Sequence, residues 1–389
     1  MSKISLLRST NNREGNAPAT IFGIGWFEAR EPNVVDAMAV SRADRGKAEC
    51  TLELLTSSGN PRVKAWAALK ERKYREQSGA YLVEGLRSVA VYVERGAPLQ
   101  ALLFDSMAGR GKDITELADI CQERGVPVYE LTASLIAQIA DTKHPQGIIA
   151  IARIVMPDIM DILDRQVRSG ASDVVSRGNL AGGFERPVRR DSAGGFELPI
   201  RKDAADGFER PVGHEGGAAS GSVARPACAD VVLVADGVKD PGNLGTMIRS
   251  AAAIGARAFV TTGNAVDLYN PKVVRAAMGA LAYVPVLSVE ASRLTQALRQ
   301  YGYRLVCADA HAERSLYETD LRGPLALAFG SEVDGLSPEL RSQADDSLSV
   351  PMPGNAESLN AGVAATVVLY EALRQRIAPG GTARMDGWH

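Results

Sequence analysis

The 389-residue sequence has little of what metal centres, disulfide frameworks and membrane segments require. Its four cysteines, Cys50, Cys121, Cys228 and Cys307, lie far apart without a CxxC pair, and only four histidines are present. This spacing predicts a protein of the reducing cytoplasm that binds no metal. No apolar run approaches the roughly 20 residues of a membrane helix, and the N-terminus has no apolar segment typical of a signal peptide. We therefore expect no membrane partner.

The sequence also lacks the excess of positive charge that is typical of a nucleic-acid-binding domain. Its formal net charge is −2, so any surface for nucleic acid must be a local patch. No Gly-x-Gly-x-x-Gly fingerprint follows a strand, and no P-loop is present, which disfavours dinucleotide enzymes and Rossmann-type methyltransferases. A hydrophobic content of 46% is ample for a core, and the length allows two or three domains.

Strands alternate with helices between about residues 58 and 153, which predicts a small α/β domain at 56–155. YLVEG at 81–85 is typical of a strand and a turn, and PQGIIAIARI at 145–154 of a closing strand. Residues 1–55 show no persistent period, so we expect a disordered extension and leave open whether it belongs to the folded protein.

A basic run, NPRVKAWAALKERKYREQ, occupies residues 60–77. Such a run is usually the solvated face of an amphipathic helix, and the alternative is a helix that contacts phosphates. Lys272 and Arg275, in the predicted helix at 270–281, are further phosphate candidates. The residues predicted to bind RNA, if RNA is the partner, are Arg62, Lys64, Lys70, Arg72, Lys73, Lys272 and Arg275.

A twelve-residue repeat interrupts the chain within 156–229. Its copies begin GFERP, GFELP and GFERP at Gly183, Gly195 and Gly207 and end near residue 217. A solenoid is the alternative to consider, but one Phe and a central Pro per copy are too little to stack a core. We therefore predict a disordered linker, whose role the sequence does not indicate.

The last part of the chain contains three similar stretches: an apolar strand, a glycine-containing turn and polar residues. The first runs from VVLVAD at 231–236, which predicts a buried parallel strand, through a turn at Asp240–Gly242. Asn243 is predicted to cap the following helix, and Arg249 falls off its apolar stripe. The residues of that stripe are Leu244, Met247, Ile248, Ala251 and Ile254.

The second stretch is LALAFGSEVDGLSPE at 325–339, and the third is VPMPGNAESLNAGVAATVVLY at 350–370. The prolines at 351 and 353 must end the strand of the third stretch. Ser358 and Asn360 are ordinary helix-capping types when taken alone. A helical stripe is predicted after them at Leu359, Val363, Val367, Tyr370, Leu373 and Ile377.

Together and in this order, the three stretches resemble the SPOUT superfamily of methyltransferases, specifically the SpoU/TrmH type. Residues 56–155 resemble the ribosomal-protein-like substrate-binding domain of that type. The resemblance implies a parallel-sheet α/β domain at 230–379 with a deep trefoil knot, preceded by the smaller α/β domain and followed by a tail at 380–389. Knots are rare, so only the resemblance supports that expectation.

The resemblance also implies the site. The implied catalytic residues are Asn243, Arg249, Glu332, Ser358 and Asn360. The residues implied to bind S-adenosylmethionine are Gly330, Val350, Met352, Ser358 and Leu359. Arg249 would act on the ribose hydroxyl. Because a guanidinium has a pKa above about 12, positioning and charge stabilisation are its expected roles, with Glu332 pairing with it or with a backbone amide.

The expected function is S-adenosylmethionine-dependent methylation of a ribose 2′-hydroxyl of RNA by a cytoplasmic homodimer. Ribosomal RNA is preferred over transfer RNA as substrate, because the N-terminal domain resembles that of rRNA-directed members. A catalytically inactive RNA-binding protein of the same fold is the alternative. A nucleotide-binding or dinucleotide enzyme is disfavoured by the missing glycine fingerprints. The sequence does not name the target nucleotide.

Overall fold

The computed structural model describes residues 52–107, 111–164, 227–354 and 358–377. Within them the chain forms two α/β units, each built on one sheet. The predictions for residues 1–51, for the twelve-residue repeats and for residues 380–389 lie outside the described residues. No helix in the described ranges is long and apolar enough to cross a membrane.

The N-terminal unit contains a five-stranded sheet in the order β1-β4-β3-β5-β2. β1, β4 and β3 run parallel, and β5 is antiparallel to both of its neighbours. The strands are β1 Glu53–Leu55, β2 Ala80–Glu84, β3 Leu99–Asp105, β4 Val128–Leu131 and β5 Ile148–Arg153. The helices are α1 Pro61–Ala68, α2 Arg72–Ser78, α3 Leu86–Glu94, α4 Lys112–Glu123 and α5 Ala133–Ile139.

Two predictions for this unit need correction. β1 pairs with β4 and Leu55 is buried, so the unit begins within the range predicted to be an extension. The basic run forms two helices, α1 and α2, instead of one. Asn60 caps α1 through its side chain, which accepts from the Arg62 amide at 2.9 Å, and the extended backbone at Glu71 separates the two helices.

The C-terminal unit contains a six-stranded sheet in the order β11-β9-β10-β6-β7-β8. All its pairs are parallel, which confirms the predicted parallel sheet. The strands are β6 Val231–Asp236, β7 Ala258–Thr262, β8 Val286–Ser288, β9 Arg304–Ala308, β10 Leu325–Phe329 and β11 Asp346–Leu348. The helices are α6 Ile159–Leu163, α7 Pro241–Ala253, α8 Pro271–Ala277, α9 Ala291–Gln300, α10 Pro338–Ser342 and α11 Ala361–Ile377.

Helix α6 lies in the range predicted to be a disordered linker, yet it packs into the core of the C-terminal unit. Arg257, which is buried, donates to the carbonyl oxygens of Ile162 at 2.5 Å and Asp164 at 2.7 Å. These bonds satisfy carbonyl groups that the end of a helix leaves without intrahelical partners. The N-terminal part of the range 156–229 therefore belongs to the C-terminal unit.

The two units make an extensive contact through α8 and the residues around it. Arg75 of α2 pairs with Asp267 at 2.5 Å, and its side chain is almost wholly buried. The rings of Tyr81 and Tyr269 lie 4.7 Å apart, and Val274 of α8 belongs to the apolar core of the N-terminal unit. An ion pair that is excluded from water and flanked by packed rings holds one relative orientation of the two units.

Close approach between helices places α7 next to both α8 and α11. A Cβ atom on Gly245 of α7 would lie 2.9 Å from the backbone of α8 at Ala276. A Cβ atom on Gly362 of α11 would lie 3.1 Å from Cβ of Thr246. Gly245 is thus required by helix packing, because a side chain would separate α7 and α8, and Gly362 lets α11 lie close to α7.

Candidate active site

The strand order brings the three predicted stretches to one edge of the C-terminal sheet. β10 lies between β6 and β9, and β11 lies on the other side of β9. Since all six strands are parallel, the loops after β6, β10 and β11 leave from the same edge. Ligand sites of open α/β sheets form at this carboxyl edge.

The start of α7 differs from the prediction. Asp240, not Asn243, caps the helix, because its Oδ1 accepts from the Asn243 amide at 2.7 Å. Pro241 occupies the first helical position, where its missing N–H costs nothing. The Asn243 side chain is therefore free of the capping role that was assigned to it, and the residue is buried at the edge of the sheet.

Three predicted catalytic residues meet in what we call the edge cluster, Asn243, Glu332 and Asn360. Asn243 Nδ2 donates to Glu332 Oε1. Asn360 Nδ2 donates to Asn243 Oδ1 at 2.6 Å. The cluster thus links one residue from each of the three stretches, although they lie 89 and 117 positions apart in the chain.

Asn360 also begins α11. Its Oδ1 accepts from the backbone amides of Gly362 at 3.0 Å and Val363 at 3.3 Å. The helix-capping interpretation of Asn360 is therefore correct, and the same side chain contributes to the edge cluster through its Nδ2. One amide group fixes the start of α11 and orients Asn243.

Arg249 lies on the exposed side of α7 and forms no hydrogen bond or ion pair with the described residues. The pairing of Glu332 with Arg249 is wrong for this structure, since Glu332 binds Asn243 instead. Ser358 is exposed and has no hydrogen-bond partner in the described ranges. The structure therefore joins three of the five predicted catalytic residues and leaves the other two without a protein partner there.

The residues predicted to bind S-adenosylmethionine follow β10 and β11. A side chain on Gly330 would overlap the carbonyl group of Gly335, because the backbones of Ser331 and Gly335 pair with each other. Glycine is thus required at 330 by the turn of its own loop, independently of its predicted place among the residues that bind S-adenosylmethionine.

Val350 and Met352 are half-buried, and Leu359 is exposed. The backbone N–H and C=O groups of Val350 and Met352 have no partners among the described residues. Apolar side chains beside open backbone donors and acceptors suit a flat, polar-edged group such as adenine. These residues therefore fit the donor that the sequence implies.

Two further groups at this edge were not singled out from the sequence. The buried carboxylate of Asp236 accepts from Thr262 Oγ1 at 2.8 Å and from the Ser337 amide at 2.6 Å. It ties the ends of β6 and β7 to the start of α10, and its signal was a single acid that ends an apolar strand. Burial raises the pKa of the Cys307 thiol in β9 to about 11, so this thiol is protonated at neutral pH and is no nucleophile.

The residues predicted to bind RNA divide into two groups. Four donate to groups of the protein itself, either carboxylates or a backbone carbonyl: Arg62, Lys70, Arg72 and Arg275. Three are exposed: Lys64, Lys73 and Lys272. Arg75, from the same basic run, is the buried partner of Asp267.

Comparison with known proteins identifies the class. Residues 230–370 match the SpoU rRNA Methylase family, and residues 60–150 match the MRM3-like substrate binding domain. The chain is 31% identical over 349 residues to the 23S rRNA (uridine(2479)-2′-O)-methyltransferase of Streptomyces viridochromogenes, covering 88% of this chain and 98% of that protein. The chain therefore belongs to the SpoU rRNA methylase family.

Two further comparisons agree with this assignment. The chain is 42% identical over 158 residues to the 23S rRNA (guanosine-2′-O-)-methyltransferase RlmB of Xanthomonas axonopodis, covering 40% of this chain and 64% of that protein. The chain is also similar to the crystal structure of the SpoU methyltransferase AviRb from Streptomyces viridochromogenes in complex with the cofactor AdoMet, with a TM-score of 0.58 and 28% identity. The similar region covers 84% of this chain and 100% of that chain.

Proposed function

We propose that this protein transfers the methyl group of S-adenosylmethionine to a ribose 2′-hydroxyl of ribosomal RNA. The observation that carries the proposal is the edge cluster, which joins one residue from each of the three stretches at the carboxyl edge of the parallel sheet. The names of the similar proteins, which include 23S rRNA 2′-O-methyltransferases, support the same reaction and substrate.

When bound, the donor supplies an electrophilic methyl group on sulfur. Val350 and Met352 would hold its adenosyl part through their open backbone groups, with Gly330, Ser358 and Leu359 beside them. The site would hold the ribose hydroxyl oxygen in line with that methyl group, so that the donor would leave as a thioether and the hydroxyl proton would pass to solvent. Holding the two reactants in line contributes up to about 7–11 kcal/mol.

Arg249 would supply the cation at the hydroxyl. Its guanidinium has no partner in the described part of the chain, so it is available to an RNA phosphate and to the oxygen that gains negative charge. The edge cluster fixes the first turn of α7. Arg249 lies on the same helix, about two turns further along. Charge stabilisation by such a preorganised donor is worth about 10²–10³ in rate.

A deep trefoil knot is part of the proposal. The supporting observation is the strand order: β10 pairs with one edge of β9, and the chain then crosses over so that β11 pairs with the opposite edge of β9. A cytoplasmic location follows from the proposed substrate, since ribosomal RNA and reduced buried cysteines both belong there.

A homodimer is also proposed, with α11 at the contact. Leu359, just before α11, and Val363 and Tyr370 on it expose 37%, 45% and 44% of their surface, and they are three of the six residues of the predicted apolar stripe. A row of exposed apolar side chains along one helix is typical of a protein interface. A second copy of the chain would cover it and complete the site near Leu359.

The test is methyl transfer from tritiated S-adenosylmethionine to bacterial rRNA that lacks the modification, followed by nuclease digestion and nucleoside mass spectrometry. A 2′-O-methyl nucleoside is expected, and its base identifies the target. A methyl group on a base would refute the ribose assignment. Donor binding without transfer to any RNA, including ribosome assembly intermediates, would favour the catalytically inactive RNA-binding alternative.

A further inference from the structure

The loop after β10 carries an apolar side chain at its tip. Val333 exposes 90% of its surface, more than any other large apolar residue in the described ranges, and Met156 comes next at 78%. Val333 belongs to the second of the three stretches, yet neither the donor residues nor the edge cluster include it. Single exposed apolar side chains are common on protein surfaces, so the case for Val333 depends on how its loop is held.

Backbone hydrogen bonds close the tip of this loop. The Ser331 amide donates to the Gly335 carbonyl oxygen at 3.1 Å, and the Gly335 amide donates back to the Ser331 carbonyl oxygen at 3.0 Å. The Asp334 amide donates to Ser331 Oγ at 2.9 Å. Only residues 332–334 lie between the two paired positions, so the backbone cannot fold Val333 back onto the protein without breaking these bonds.

Both chain neighbours of Val333 are bonded to the first stretch. Glu332 accepts from Asn243 in the edge cluster, and Asp334 Oδ2 accepts from Lys239 Nζ at 3.3 Å. Val333 is thus held out in one place by the residues on either side of it. A side chain that is fixed before a ligand arrives loses little conformational entropy when the ligand binds.

The place in which Val333 is held is next to the proposed position of the ribose. Its Cα atom lies one peptide unit, about 3.8 Å, from the Cα atom of Glu332, which belongs to the edge cluster. In a nucleotide the carbon with the 2′-hydroxyl is bonded to the carbon that carries the base. A ribose at the edge cluster therefore brings its base within reach of Val333. Enzymes that act on an extruded nucleotide hold its base against apolar or aromatic side chains.

We propose that Val333 packs against the face of the base of the nucleotide that is methylated, and so positions its ribose at the edge cluster. This inference rests on the proposed function, since it takes RNA as the substrate. It requires an unstacked base, which identifies the substrate class as a nucleotide in a loop or bulge of ribosomal RNA. Because valine has no hydrogen-bonding side-chain group, it contributes affinity for a base face without choosing among the four bases.

The test compares Val333→Ala and Val333→Leu with Val155→Ala, which shortens another exposed valine on the segment between β5 and α6. The substrate is an rRNA fragment that the full-length protein methylates, made with the target base intact or with an abasic ribose at that position. Val333→Ala should lower kcat/KM for the intact RNA about fivefold, because buried methyl groups are lost. Val333→Leu and Val155→Ala should stay within about twofold of the unmodified protein.

The abasic RNA separates base packing from every other role of Val333. With no base to contact, Val333→Ala and the unmodified protein should have equal kcat/KM for it. An equal loss on both RNAs, or no loss on the intact RNA, would overturn the inference. Thermal melts of Val333→Ala should match those of the unmodified protein, since an exposed side chain contributes little packing.

Two further measurements exclude other occupants of the tip. Weaker binding of S-adenosylmethionine to Val333→Ala in calorimetry would place Val333 at the donor. A raised dimer dissociation constant in sedimentation velocity would place it against a second copy of the chain. Either result would overturn base packing while leaving the proposed function intact. Transfer to no RNA by the unmodified protein would instead overturn the proposed function and this inference together.

Discussion

Helices α7 and α11 pack against each other, and the sequence predicted an apolar stripe on each. On α7 the predicted stripe is the buried one: Leu244, Met247, Ile248 and Ala251 are all inaccessible to solvent. On α11 the predicted stripe is divided: Val363 and Tyr370 are exposed, Val367 and Ile377 are half-buried against the core, and Leu373 is buried. Leu373 shares the buried face of α11 with Gly362, Ala365, Val368, Leu369 and Ala372.

The comparison of α7 with α11 shows the limit of hydrophobic periodicity as a predictor of buried faces. A period of 3.6 identifies the apolar sides of a helix, but both sides of α11 are apolar, and periodicity does not say which one meets the rest of its own chain. The small residue at the contact decides, since a Cβ atom on Gly362 would lie only 3.2 Å from the Asn243 carbonyl oxygen. Val363 and Tyr370, on the other side, are left exposed.

The largest effect is expected on the polar side of α7. Arg249→Ala should lower the rate of methyl transfer by about 10²–10³-fold, because the cation at the reacting oxygen is lost. Binding of S-adenosylmethionine, measured by calorimetry, should be unchanged, since Arg249 lies outside the donor residues.

Arg374→Ala on α11 is the matched control for Arg249→Ala. Both arginines are exposed on a helix, but Arg374 binds Glu371 at 2.7 Å, whereas Arg249 has no partner in the described ranges. The control should keep its transfer rate. Equal rates for the two variants would remove Arg249 from the proposed mechanism.

The second prediction concerns the hydrogen bond from Asn360 Nδ2 to Asn243 Oδ1, which joins α11 to α7. Asn243→Ala leaves Glu332 and Asn360 without their partner, which should cost about 1–3 kcal/mol of unfolding free energy and, through misplacement of α7, up to about 10²-fold in transfer rate. Asn270→Ala removes another asparagine cap, whose Oδ1 accepts from the Lys272 amide at 2.9 Å. It should lose about 1 kcal/mol and keep its transfer rate. Both parameters are read from urea unfolding and initial rates.

The contact proposed for α11 gives the third prediction. Val363→Glu places a charge in the exposed apolar stripe, so it should raise the dimer dissociation constant at least about tenfold without unfolding the protomer. Sedimentation velocity across a concentration series measures the change. Leu54→Glu, at an exposed apolar position of β1, is the control and should sediment as the unmodified protein does. Sedimentation as a monomer by all three proteins would refute the dimer.

Much of α7 could be predicted from its own residues, because both its buried stripe and its exposed Arg249 follow from local spacing. Its cap was assigned to Asn243 although Asp240 holds that position. Asp and Asn cap helices about equally well, so residue type alone does not choose between them. Pro241, which favours the first helical position, was the signal that points to Asp240.

The edge cluster was predictable as a set of residues but not as a set of bonds. Asn243, Glu332 and Asn360 were recognised through the three stretches, while their partners depend on how β6 and β10 become neighbours. The pair of Arg75 and Asp267 gave no signal at all. These residues are 192 positions apart, and in the sequence Arg75 is one cation in a basic run.

The smallest effect is expected on the pH dependence of stability, through Glu371 on the buried side of α11. Hydrogen bonds from Arg374 and Gln375 hold the pKa of the Glu371 carboxyl below its usual range. A lowered pKa in the folded state means that the ionised carboxylate stabilises the protein above the unfolded-state pKa of about 4.3, and that this stability is lost as the pH falls through the lower folded value. Glu371→Gln should therefore unfold more easily than the unmodified protein at pH 6, and the difference should shrink toward pH 3. Thermal melts at both pH values measure it. A difference that stays constant with pH would show that Glu371 acts through its packing and not through its charge.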